Sequence, residues 1–213
     1  MGKITSKELL KDHIFLAGIL KAVVSEYKNV SEQDIVSKYI EPESIRDDAE
    51  VSENEYGLIF EATRIDAPTQ KSKESKMRVK INFDIKVQNN SNAGLMGRQA
   101  VFDSAKMLDE QVDKVCTIWV CLNPPANVSN RIIRFKIKKS DIFGMVDTPN
   151  DDYDLLESFI IGLGNEDAAP GTRIHKLLYA LFGSKTGEEK LKQLQELGYA
   201  GTSLEKIASK VLF

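Results

Sequence analysis

The stretch INFDIKVQ, Ile81 to Gln88, constrains the fold more tightly than any other part of the chain. Apolar Ile81, Phe83, Ile85 and Val87 alternate with polar Asn82, Asp84, Lys86 and Gln88. A β-strand sends successive side chains to opposite faces, so the alternation predicts a strand with one face on a core and one polar face. On the polar face an acid is followed, two residues on, by an amine. An Asp and a Lys so placed can hold a divalent cation and orient a water beside it, the arrangement that phosphodiester hydrolysis requires.

A cation needs more than one carboxylate, and the preceding segment offers them. Tyr56–Ala67, YGLIFEATRIDA, reads as a strand, and PTQKSKESK, Pro68 to Lys76, reads as a polar hairpin tip. Centring the turn near Ser72 or Lys73 places Glu61 opposite Asp84 on the same face. Asp66 lies nearer the tip, on the apolar parity, and ranks second as the first acid. Glu61, Asp84 and Lys86 are thus expected to share one patch, with Gln88 a step further along to bind water or phosphate. The tip and second strand carry Lys71, Lys73, Lys76, Arg78 and Lys80 against a single Glu74. That row serves either as a charged guard against edge pairing or as a cationic finger for phosphates.

VCTIWVCL, Val115 to Leu122, is a continuous apolar run of strand length, so it is expected as a central strand buried on both faces, with Trp119 in the core. A further strand is expected over Ile132–Ile137, with Ile133, Phe135 and Ile137 inward and Arg134, Lys136 and Lys138 outward as a second cationic row. Helices are expected from Thr5 or Ser6 to Tyr27, with Glu26 on the flank of the apolar stripe, and from Ser31 to Ile40. Glu43 to Glu55 is acidic and reads as a solvated loop with at most one short strand around Ile45–Val51. Leu95–Gln111 reads as a helix with Arg98 in its first turn, in reach of a phosphate, Glu61 or Asp84. Beyond a linker-like Asp141–Asp151 the pattern reads as helical: Tyr153–Leu163, Thr172–Phe182, Gly187–Leu197 and Ser203–Leu212. His175 and His13 read as structural side chains. The expected architecture is α/β, a mixed sheet flanked by helices over residues 1–148, with an all-helical C-terminal segment over 149–213.

Composition narrows the class. At 213 residues, 42% hydrophobic and 29% charged, the chain can bury one sizeable core. A net charge of −3 gives no global basic signal, so any contact with nucleic acid must rest on local cation clusters. Cys116 and Cys121 are an odd number of residues apart, hence on opposite strand faces, where a mutual disulfide is disfavoured. Cys and His are too few for a structural zinc site. No run reaches the roughly 18 apolar residues of a membrane span, and the first residues lack the apolar core of a signal peptide. A cytoplasmic protein with no membrane partner is the expectation.

The order acid, hairpin, Asp-x-Lys resembles the metal site of the PD-(D/E)XK nuclease superfamily. LAGILKAVVSEYK, INFDIKVQ, RQAVFDSAKMLDEQ, CTIWVCLNPP, DYDLLESFIIGLG and HKLLYALFGSK, in that order, resemble the transposase-like, recombination-promoting (Rpn-type) nucleases of bacteria. The resemblance implies a restriction-endonuclease-like fold and a DNA endonuclease linked to transposition or recombination. It implies Mg²⁺, with Mn²⁺ as a substitute, held by Glu61, Asp84 and a helix carboxylate at Glu26, and Lys86 acting on the attacking water. Lys71, Lys73, Lys76, Arg78, Arg134 and Lys136 would then meet DNA, and a symmetric dimer would serve double-strand cutting. The chain departs from the family in carrying Asp84-x-Lys86 where Glu-x-Gln is common, and Glu61 where the first acid is commonly Asp. By spacing, the family's helix arginine falls on Arg98 or on Gln99. The alternative expectation is a non-catalytic nucleic-acid- or protein-binding module on a nuclease-like scaffold.

Overall fold

The structure is a computed structural model, and it describes residues 7–48, 56–63, 78–86, 93–108, 113–145, 147–148, 154–165 and 172–211. Asp66, Lys71, Lys73, Lys76 and Gln88 lie outside the described residues.

Lys7–Leu10 (α1) and His13–Val23 (α2) replace the single long helix expected from Thr5 or Ser6. The break falls at Asp12, whose Oδ1 accepts from the backbone N–H groups of Ile14 and Phe15, both at 3.0 Å. An N-cap starts a new helix and cannot sit inside an old one. A 3₁₀ turn follows at Ser25–Tyr27. Glu32–Asp34 (α3) is capped by Ser31 as expected and continues as a π turn to Tyr39.

Six strands follow: Arg46–Asp47 (β1), Tyr56–Thr63 (β2), Arg78–Lys86 (β3), Lys114–Cys121 (β4), Arg131–Lys136 (β5) and Leu156–Gly162 (β6). They form one mixed sheet in the order β1-β2-β3-β4-β6-β5. The β3–β4 and β4–β6 pairs are parallel and the other three antiparallel. Ala93–Lys106 (α4) links β3 to β4, and Arg173–Phe182 (α5), Gly187–Leu194 (α6) and Ser203–Val211 (α7) lie beyond β6. The molecule is therefore α/β, a six-stranded mixed sheet flanked by helices.

One expectation is overturned. The segment Leu156–Gly162, expected inside a helix, is strand β6, between β4 and β5 and buried along its whole length. A short buried segment without a clear period suits a helix turn and a doubly covered strand equally, and Phe159, Ile160 and Ile161 favour the strand. The all-helical part thus begins at Arg173, not at 149.

Register sorts the side chains. Leu58, Phe60, Ile81, Phe83, Ile118, Val120, Phe159 and Ile161 share one face, in a core with α2 and α5. Phe15 of α2 meets Phe83 edge-on, ring centroids 5.7 Å apart. The opposite face carries a smaller core in which Met96 and Ala100 of α4 pack on Trp119, Cys121 and Ile160. Cys116 and Cys121 thus lie on opposite faces, both buried and neither in a disulfide. Burial pushes the Cys116 thiol up, with the charge of Glu157 adding to it, so Cys116 packs as a neutral thiol. His175 is buried with Nδ1 2.8 Å from Thr172 Oγ1, and burial lowers its pKa, so it packs as a neutral ring.

Gly162 is where this packing is least tolerant. A Cβ there would lie 2.1 Å from the backbone oxygen of Val128, in the loop that folds over the end of β6. Backbone cannot yield as a flexible side chain does. Gly162→Ala is expected to lower stability by about 2 kcal/mol, read as a shift in the urea midpoint at unchanged slope.

Candidate active site

Asp84 and Lys86 lie where the alternation of β3 places them, side by side on the face opposite the larger core. Lys86 Nζ is 3.7 Å from Asp84 Oδ2, and Asn82 Nδ2 donates to the same oxygen at 3.2 Å. The parallel register sets Asn82 beside Thr117 and Asp84 beside Trp119. Lys86 Nζ lies 4.8 Å from the centroid of the Trp119 ring, a cation–π distance that holds the ammonium over β4. Trp119 is buried, as expected of a core residue, but it is also the platform of the lysine.

The burial here is unusual for such polar residues. Asp84 is 2% exposed, Asn82 4% and Thr117 fully buried. Among the described residues, Asn82 Oδ1, Thr117 Oγ1 and Trp119 Nε1 have no hydrogen-bond partner. An unpaired buried polar group costs about 1–3 kcal/mol, so three around one ion pair mark a place built for more than packing.

The expected acids do not join it. In the observed register Asp84 faces Gly57, and Glu61 faces Lys80. Glu61 keeps the polar face but stands four residues along, about 13 Å at strand rise. The hairpin centres two residues earlier than expected, which moves each pairing by four. Glu26 is further away. It sits in the 3₁₀ turn after α2, with Oε1 3.4 Å from Lys114 Nζ, on the larger-core face and at the opposite end of the sheet.

Glu26 belongs instead to a chain of charges that runs through the buried Lys114 and Glu157. Lys114 Nζ is also 3.4 Å from Glu157 Oε2, and the guanidinium of Arg134 donates to Glu157 Oε1. Arg134 is exposed, as expected of the outward row, while its guanidinium engages Glu157. Its charge is spent on a glutamate that is fully buried. Lys136 and Arg78 are exposed, as expected. Arg98 is exposed on α4 and, among the described residues, forms no ion pair with Asp84 or Glu61.

Three residues that carry no site signal in the sequence lie at or beside this patch: Asn82, Thr117 and Asp48. Asn82 and Thr117 look like ordinary strand polar positions, and only pairing in the parallel register brings them together. Asp48 belongs to the stretch that reads as a solvated acidic loop. Its backbone N–H donates to Gly57 O at 2.9 Å, extending the β1–β2 ladder by one pair. Parity then puts Asp48 on the face of Asp84, with Gly57 between them.

The residues present fit a hard cation. A carboxylate, an amide oxygen and a hydroxyl oxygen are oxygen donors of the kind Mg²⁺ takes. No group of three or more His, Cys, Asp or Glu able to hold a metal occurs among the described residues. No helix among them is long and apolar enough to cross a membrane. Neither a family model, nor a curated protein, nor a solved structure matches the chain.

The middle and the end of the Glu26–Lys114–Glu157–Arg134 chain should respond differently to mutation. Lys114→Met leaves Glu26 and Glu157 facing one another without their ammonium and is expected to cost about 3 kcal/mol. Glu26→Gln, at the solvent end, is expected to cost about 1 kcal/mol. Urea denaturation of both variants measures the difference.

Proposed function

We propose that this chain is a metal-dependent DNA endonuclease on a restriction-endonuclease-like sheet, of the recombination-promoting kind that its sequence resembles. The reading is carried by one observation: Asp84 and Lys86 are buried side by side among oxygens that have no partner among the described residues. Asp84 supplies the charged ligand oxygen. When bound, Mg²⁺, or Mn²⁺ in its place, would polarise the scissile phosphate and lower the pKa of an attacking water. Lys86 is held by the Trp119 ring with its ammonium turned toward the carboxylate. From there it can donate to the water or to a phosphate oxygen as negative charge develops. Exposed Lys136 could meet phosphates of the DNA.

A second reading has an observation of its own. Glu61 and Glu26, the carboxylates expected to complete the site, stand apart from Asp84. That favours a nuclease-like scaffold that binds nucleic acid or protein without cutting. Supercoiled plasmid with Mg²⁺ or Mn²⁺ separates the two. Nicking by the purified protein, reduced at least about a hundredfold by Asp84→Asn and by Lys86→Met with circular dichroism unchanged, is the expected result. A gel shift without nicking at either metal would establish the binding module and end the endonuclease reading.

A further inference from the structure

We propose that the cation's seat is completed by Asp48, across Gly57, and by the amide oxygen of Asn82, in place of Glu61 and Glu26. The proposal rests on the metal-dependent reading above and names the residues that would make it work.

Asp84 has two sides along the sheet. On the β4 side the ammonium of Lys86 lies over Trp119. On the β2 side its partner in register is Gly57, which presents no side chain. Beyond that glycine comes Asp48, held in the ladder by its bond to Gly57 O. Asp48 and Asp84 are therefore two strand spacings apart on one face, about 9.5 Å between backbones. From that separation two carboxylates on one face could share a single ion and its waters. Any larger residue at position 57 would stand in the gap.

The amide of Asn82 supplies the independent observation. Its Nδ2 is committed to Asp84 Oδ2, while its Oδ1 is buried with no partner among the described residues. A carbonyl oxygen fixed beside a carboxylate and offered no proton is a ligand for a cation. One or two carboxylates with neutral oxygens and waters is the usual protein share of a Mg²⁺ shell. Glu61, about 13 Å along the strand, and Glu26, engaged with Lys114 on the other face, are out of reach.

Trp119 is the only tryptophan in the chain, so excitation at the red edge of its absorption, where the six tyrosines do not absorb, reports on this site. Tb³⁺, an oxygen-seeking probe, is titrated against the full-length protein with excitation of Trp119, and Mg²⁺ is used to compete it off. Asp48→Asn is expected to weaken Tb³⁺ binding about tenfold or more, and Asn82→Asp to tighten it by a similar factor, because each changes the anionic ligand count by one. Glu61→Gln is expected to bind like the wild type. If Asn82 served only to hold Asp84, Asn82→Asp would lose that hydrogen bond, place two acids together and weaken the signal, which removes Asn82 from the set. Asp48→Asn binding within twofold of wild type, while Asp84→Asn abolishes the signal, overturns the role of Asp48 and leaves the nuclease reading standing. No sensitised signal from the wild type defeats the metal-dependent reading itself. Thermal melts accompany each variant, with Asp48→Ala replacing Asp48→Asn if the latter does not fold.

Discussion

Strand β4 is buried on both faces along all eight of its residues, and the rest of the molecule is arranged to close over it. Two parallel neighbours supply its hydrogen bonds, and each face needs a separate layer. α4, the crossover between β3 and β4, covers one. The other is covered from both ends of the chain, since α2 and α5 meet in a single core with the last helices. Gly18 of α2 permits this contact: a Cβ there would come within 3.4 Å of Leu177 and 3.2 Å of the Tyr199 hydroxyl. Arg173 then reaches back to Glu32 at 3.5 Å.

What is legible in the sequence follows from what each pattern encodes. The alternation of β3 encodes a face, and that face is observed: Ile81, Phe83 and Ile85 lie in the larger core, while Asp84 and Lys86 lie opposite. The apolar run of β4 encodes double burial, and that too is observed. Neither pattern encodes a neighbour. The segment between β2 and β3 has no Asn-Gly or Gly-rich turn to fix the pairing. A shift by an even number of residues leaves every side chain on its own face, so the hydrophobic pattern cannot detect it. Glu61 is on the expected face and beside a different residue for that reason. β6 escapes the pattern in another way: seven residues buried on both faces carry no period, and a run without a period can be helix or strand.

Glu157 is a signal of a different kind. A glutamate inside LESFIIG has no place in an apolar run unless a cation meets it. Lys114, at the start of the other apolar run, and Arg134, the middle cation of RIIRFK, are the two that do. Placing β6 beside β4 and β5 makes the three inseparable, because Cys116 and Lys136 are the register partners of Glu157. Once LESFIIG is assigned as a strand, the buried glutamate near its start draws the guanidinium of Arg134 onto itself, although Arg134 stays exposed on the edge strand.

The two charge clusters of this sheet differ in what surrounds their ion pairs. In the first, Glu26, Lys114, Glu157 and Arg134 alternate in sign and sum to zero, and each charge meets its opposite. Such a chain offsets much of its own desolvation, although Glu157 Oε2 has the ion pair with Lys114 and no hydrogen bond. In the second, Asp84 and Lys86 also neutralise each other, but the amide and hydroxyl around them are left with unmade bonds. Folding alone would favour apolar residues of the same shape at positions 82 and 117, since a buried oxygen without a donor destabilises the native state. Their presence beside an acid and an amine is accounted for when something outside the chain supplies the missing partner. On the metal-dependent reading proposed above, a hard cation would be that partner for the Asn82 amide oxygen, which carries no proton.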